Sequence, residues 1–146
     1  MRIKQTFTAV VGLLLIALLL SACSGDSSSE SPNSFTVAAT EDFTYSPDTI
    51  SVAAGQEVTL TFNNEGSVEH SLNILNSEEE LEHVLEEAHE EEELHEELAL
   101  EIHEIEPGAS ETKTFTAPAE AGDYIFFCSL PGHAEEGLVG TLTVTP

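Results

Sequence analysis

Apolar and polar residues alternate with a period of two over much of the chain beyond residue 34. Phe35-Thr-Val-Ala-Ala39 reads as a first strand. Thr49-Ile-Ser-Val52, with Pro47 before it and Gly55 after it, reads as a second, and Glu57-Val-Thr-Leu-Thr-Phe62, closed by Asn63-Asn64-Glu65-Gly66, as a third. His70-Ser-Leu-Asn-Ile-Leu75 continues the set, and strands resume over 112–116, 124–128 and 139–144. Alternation of this kind gives each strand one apolar face to bury. Short strands at this spacing, with no helix between most of them, predict an all-β antiparallel sandwich.

The pattern changes between residues 77 and 106. This stretch holds 15 of the 28 acids, four of the six histidines and no Lys or Arg. Ser77 and Glu80 form a capping box, and Pro107-Gly108 a stop. Leu81, Val84, Leu85, Ala88, Leu98, Ile102 and Ile105 fall on one side of a helical wheel. The spacing predicts one long helix or two shorter ones, inserted between two strands. Like charges three and four apart repel, so the helix should form best in salt, in acid or with bound cations.

The N-terminus has a third character. Arg2 and Lys4 precede an apolar run from Val10 to Leu20, and Leu20-Ser-Ala-Cys23 supplies a small-residue cleavage site. The run is short for a membrane span, which needs about 20 apolar residues. Residues 1–22 therefore read as an export signal. Leu-Ser-Ala-Cys looks like a bacterial lipobox, in which Cys23 takes lipid and becomes the new N-terminus. The Ser-rich stretch over 23–34 reads as a tether, leaving a domain over 35–146. The expected location is outside the cytoplasm, on the periplasmic or cell-surface side of a membrane.

Charge narrows the partners. Three basic residues face 28 acids, a formal net charge of −25, and removal of the leader leaves Lys113 as the only base. Nucleic acid is excluded as a partner, because its phosphates require Lys and Arg. An anionic membrane surface is an equally poor match for the folded body, whereas a basic protein, a cation or a very salty medium suits it. The same acidity fits either high-salt adaptation or docking to a basic protein.

Two cysteines do not make a disulfide framework. With Cys23 lipidated, Cys128 has no partner, and a lone thiol in an oxidising compartment is exposed to damage unless something such as a metal occupies it. His70 opens a strand after a turn, Cys128 ends the Tyr124-Ile-Phe-Phe-Cys128 strand, and His133 follows through Ser-Leu-Pro-Gly. A thiolate and an imidazole five residues apart on a turn can reach one ion, and a second His completes a trigonal set. Two imidazoles with one thiolate favour copper and suit electron transfer. Structural zinc would want a fourth Cys or His. In the acidic segment His83, His89, His95 and His103 contain no i, i+4 pair, although Glu91 and His95 do form one. The plain reading is a solvated acidic face; weak metal capture and partner docking are the sharper ones.

At these residues the sequence resembles the cupredoxins, or type 1 blue copper proteins, over about 35–75 and 112–146. Phe43-Thr-Tyr-Ser-Pro-Asp-Thr-Ile-Ser-Val-Ala-Ala-Gly55 is similar to the family's opening strands, and Glu69-His70-Ser71-Leu72 to its first ligand strand. Gly122-Asp-Tyr-Ile-Phe-Phe-Cys-Ser-Leu-Pro-Gly-His-Ala-Glu-Glu-Gly-Leu-Val-Gly-Thr-Leu-Thr-Val144 is similar to its C-terminal ligand loop and last strand. The plastocyanin, azurin and auracyanin-like members are small electron carriers. The resemblance implies a Greek-key β-sandwich and one type 1 copper held by His70, Cys128 and His133. Two positions depart from it. Leu138, in Gly137-Leu-Val-Gly140, stands where the axial Met usually lies, and Leu has no donor atom. Ser71 stands where the family commonly has an Asn that braces the ligand loops, and Ser can replace part of that bracing.

The expected function is a membrane-tethered carrier of single electrons between Cu(I) and Cu(II), passed to a redox protein such as a basic cytochrome. No catalytic triad or phosphate loop is present, so neither an enzyme activity nor a small-molecule substrate is expected. The alternative is a copper-handling lipoprotein that holds Cu(I) and collects ions on its acidic segment. A weaker reading is a metal-free interaction domain that kept the fold.

Overall fold

The computed structural model describes residues 33–77, 84 and 97–146. Nine strands follow in chain order: β1 Ser34–Ala39, β2 Tyr45–Ser46, β3 Thr49–Ala53, β4 Glu57–Asn64, β5 His70–Leu75, β6 Leu98–Ile105, β7 Ser110–Thr116, β8 Gly122–Phe127 and β9 Val139–Thr145. They form a four-stranded sheet, β2-β1-β4-β7, and a five-stranded sheet, β3-β9-β8-β5-β6. The alternation seen in the sequence is the alternation of burial. Val58, Leu60 and Phe62 point inward from β4, Ile50 and Val52 from β3, and Leu142 and Val144 from β9. With Val37, Leu72, Ile74 and Phe126 they fill the space between the sheets. Gly140 is required at its position, because a Cβ there would lie 2.1 Å from the Phe126 ring.

Two expectations are corrected. The sheets are mixed rather than purely antiparallel, since β1 runs parallel to β4 and β3 parallel to β9. The chain leaves the four-stranded sheet after β2, forms β3 in the other sheet and returns with β4. Strands that are neighbours in space are therefore not neighbours in sequence, and β4 comes back alongside β1 in the same direction.

The second correction concerns 98–105, read as the end of a helix. It is β6, antiparallel to β5 at the edge of the five-stranded sheet. Leu98, Ile102 and Ile105 fit a helical period, but Leu98, Leu100 and Ile102 fit a period of two equally well. Leu100 and Ile102 are buried in the core. Burial of each is worth about 2 kcal/mol, against helix-propensity differences of at most about 0.7 kcal/mol per residue. A bulge between the His70–Ile105 and Leu72–Ile102 pairings re-phases β6 and lets Ile105 also pack on the core. His103 consequently lies exposed on a strand, not on a helix. The rest of the expected helix, with His83, His89, His95 and Glu91, lies outside the described residues, as do the leader and Cys23. Val84 is described, and it is buried against Leu75 and Phe127 on the outer face of the five-stranded sheet.

Candidate metal centre

Four polar side chains are buried among the described residues: Asn64, His70, Ser71 and Asn73. All four belong to the end of β4 or the start of β5. Burying a polar group costs stability unless it is hydrogen-bonded, and every buried side-chain nitrogen or oxygen described here has a partner.

Asn64 delivers His70. Its side-chain amide donates to the carbonyls of Val68 at 2.7 Å and Ile105 at 2.8 Å, and its Oδ1 accepts the Gly66 N–H at 3.0 Å. Its backbone N–H donates to Ala109 and its carbonyl accepts from Gly108. One side chain thus pins the turn over 65–69 to the end of β6. Within that turn a Cβ on Gly66 would lie 2.7 Å from His70 Nε2, so the turn closes directly over the imidazole.

Cys128 and His133 share a self-bonded loop. The Cys128 N–H donates to the Leu138 carbonyl at 3.2 Å, the Leu138 N–H to the His133 carbonyl at 3.0 Å, and the His133 N–H to the Leu130 carbonyl at 3.1 Å. Ser71 ties this loop to β5. Its Oγ accepts the Ser129 N–H at 3.0 Å and the Asn73 amide at 3.3 Å, which leaves its own proton to be shared between the Ser129 hydroxyl at 3.1 Å and the Cys128 sulfur at 3.4 Å. The Ser71 backbone N–H also donates to that sulfur at 3.4 Å, and the Tyr45 hydroxyl donates to the Ser71 carbonyl at 2.6 Å. The bracing role that Ser71 was expected to fill only in part is shared here with Asn73 and Ser129.

The three sequence-predicted ligands meet. His70 Nδ1 and His133 Nδ1 are 3.2 Å apart, and Cys128 Sγ is 3.5 Å from His133 Nδ1. The donor atoms of His70, Cys128 and His133 all lie within 4.8 Å of one another, the one such cluster among the described residues. Cys128 is a free, buried thiol, His70 is buried and His133 is half-buried. Burial, and secondarily the neighbouring His133, lower the pKa of His70 below its ordinary value of 6.5, which favours the neutral imidazole that a metal needs. Burial, then the neighbouring Cys128, raise that of Tyr45, so Tyr45 stays a neutral donor. Leu138 is fully buried in the same core cluster as Cys128 and brings no donor atom. His103 stands apart, 3.6 Å from the Glu101 carboxylate.

The signature of copper binding proteins of the plastocyanin/azurin family matches residues 33–145. The chain belongs to that family. As a plastocyanin/azurin-family chain it carries a donor set of two imidazoles and a thiolate, which suits copper over a four-ligand zinc site. The cofactor is one copper, and His70, Cys128 and His133 are placed to form its site. Auracyanin-B of Chloroflexus aurantiacus is 51% identical over 39 residues, 27% of this chain and 16% of that protein. A plastocyanin of Nostoc punctiforme is 54% identical over 37 residues, 25% of each chain. These matches thus span a quarter or less of either relative. A crystal structure of reduced auracyanin from Roseiflexus castenholzii superposes with a TM-score of 0.66 at 30% identity, covering 78% of this chain and 98% of that one.

Sequence reasoning did not find Asn64, Asn73, Ser129 or the packing of Phe43 around the site. Asn64 read only as part of a turn, and Asn73 as a polar position in an alternating strand.

Proposed function

We propose that the protein is a type 1 copper electron carrier, held to a membrane by lipid on Cys23. The observation that carries the copper reading is the trio itself: the donor atoms of His70, Cys128 and His133 lie within 4.8 Å of one another, the first two buried and the third half-buried. When bound, copper supplies a one-electron couple that these donors serve in both oxidation states. The chain's part is to keep the donors still. Asn64 and Gly66 hold His70, the 128–138 backbone bonds hold Cys128 and His133, and Ser71 joins the two halves. Two hydrogen bonds to the Cys128 sulfur draw electron density from it, and the buried Leu138 offers no donor atom; both would favour a bound copper as Cu(I). No substrate is transformed.

His133, half-buried on its loop, is the electron port. Exposed Glu41, Asp42, Glu65, Glu69, Glu135 and Glu136 sit on the loops around it and support a basic redox partner, such as a cytochrome. We read residues 1–22 as a lipoprotein leader, 23–34 as a tether, and 35–146 as the copper domain on the outer side of the membrane. The acidic stretch between β5 and β6 we read as helical where salt or cations screen its charge. The copper-handling alternative draws on Leu138, which suits Cu(I) retention.

Voltammetry of the copper-loaded protein tests the carrier reading. It should give a reversible one-electron couple, and electron exchange with a basic cytochrome should slow as salt is added. An irreversible couple, with copper passing to a metal-free acceptor instead, would favour copper handling. Mass spectrometry of the membrane fraction should find lipid on Cys23, absent from Cys23→Ser.

A further inference from the structure

Phe43 holds a conformation that its sequence does not explain. Its φ is +53°, the only positive value at a non-glycine residue among those described. A bulky side chain in this region is disfavoured and persists only where the surroundings enforce it. Here they do. The Thr40 N–H donates to the Thr44 carbonyl at 2.9 Å, the Phe43 N–H to the Thr40 carbonyl at 3.3 Å, and the two threonine hydroxyls bond at 2.9 Å. The turn between β1 and β2 is thereby closed, and it rests on the ligand loop. The Phe43 carbonyl oxygen would be 3.4 Å from a Cβ on Gly137, the residue before Leu138.

The ring this turn projects meets both imidazoles edge-on. Its centroid is 5.5 Å from that of His70 and 4.9 Å from that of His133, at interplanar angles of 89° and 87°. The two imidazoles are 5.1 Å apart, so the three rings form a nearly equilateral cluster. Nothing else described packs an aromatic ring on either histidine. We infer that Phe43 is a positioning residue that clamps the two imidazoles together and shields the donor cluster from outside ligands, a cluster to which the buried Leu138 adds no donor atom. An open three-donor centre would take water or an anion in the oxidised state and would rearrange on each electron. The clamp removes that option.

The inference rests on the copper reading of the same site, and the test separates the two. The full chain and its Phe43→Ala, Phe43→Gly and Phe43→Tyr variants are loaded with one equivalent of Cu(II) and titrated with azide, following the visible spectrum and the potential. Glycine accepts a positive φ without strain, so Phe43→Gly keeps the turn if alanine does not. The parent and Phe43→Tyr should be inert to azide. The Ala and Gly variants should bind it with affinity raised about tenfold or more, with a shifted absorption band and a lowered potential. Loaded Ala and Gly variants that ignore azide and keep the parent potential would overturn the clamp, as would a Tyr variant that opens like Ala. A parent that takes up no copper would overturn the copper reading, and the clamp with it.

Discussion

Replacing Ser71 with alanine removes one oxygen and disturbs both halves of the site. The Ser129 N–H and the Asn73 amide each lose an acceptor, and the Cys128 sulfur loses a donor. Leaving a buried donor unpaired costs about 1–3 kcal/mol. Ser129 is only half-buried and its N–H can recover part of that from water, so we expect the metal-free variant to lose about 2 kcal/mol. At roughly 4 °C per kcal/mol for a domain of this size, its Tm should fall by about 8 °C. The copper-loaded variant should show more than lost stability. With one hydrogen bond instead of two, the sulfur becomes the better electron donor, so its charge-transfer band moves to longer wavelength and the potential falls. Urea melts of both forms, a visible spectrum and voltammetry measure these effects, and Ser71→Thr, which keeps the hydroxyl, should restore them. A loss below about 0.5 kcal/mol together with an unshifted band would refute the network drawn around Ser71.

Leu138→Met adds a thioether at a fully buried position with little change in volume. It should cost less than about 1.5 kcal/mol, and by offering an axial donor it should lower the potential, as voltammetry would record. Gly66→Ala forces a methyl into the 2.7 Å approach to His70 Nε2, so the imidazole must move. Copper affinity should fall in a competition titration while the melting of the metal-free protein changes less. The lowered pKa of His70 sets a pH dependence. Between that value and 6.5 the unfolded chain holds a proton that the folded chain does not. The metal-free protein should therefore be most stable above pH 6.5 and weaken as pH falls through the window. Copper on Nδ1 competes with the proton, so the loaded protein should hold its urea midpoint to lower pH.

Alternation and turn signals identified seven of the nine strands; most of these are buried on one face, which imposes a period of two, whereas β5 is buried on both. They missed β2, which at two residues is too short for any period. They also missed β6, where Leu98, Leu100, Ile102 and Ile105 satisfy two periods at once and the neighbouring glutamates favoured the helical one. Only pairing with β5 decides between them. Parallel pairing was equally illegible, since it depends on where the chain changes sheets. At the site, the three donors could be read because Cys, His and their loop spacing are rare outside metal chemistry. The residues that hold them could not. Asn64 and Asn73 are ordinary polar positions until folding buries them, and Phe43 passes for a core aromatic until its turn swings it over the histidines.

The central claim is a type 1 copper centre made by His70, Cys128 and His133. Its most direct test is the visible absorption spectrum of the protein after one equivalent of Cu(II), alongside Cys128→Ser. The account predicts an intense thiolate-to-copper band that saturates at one copper per chain and disappears in the variant. A parent without that band, or a Cys128→Ser variant that keeps it, would contradict the account.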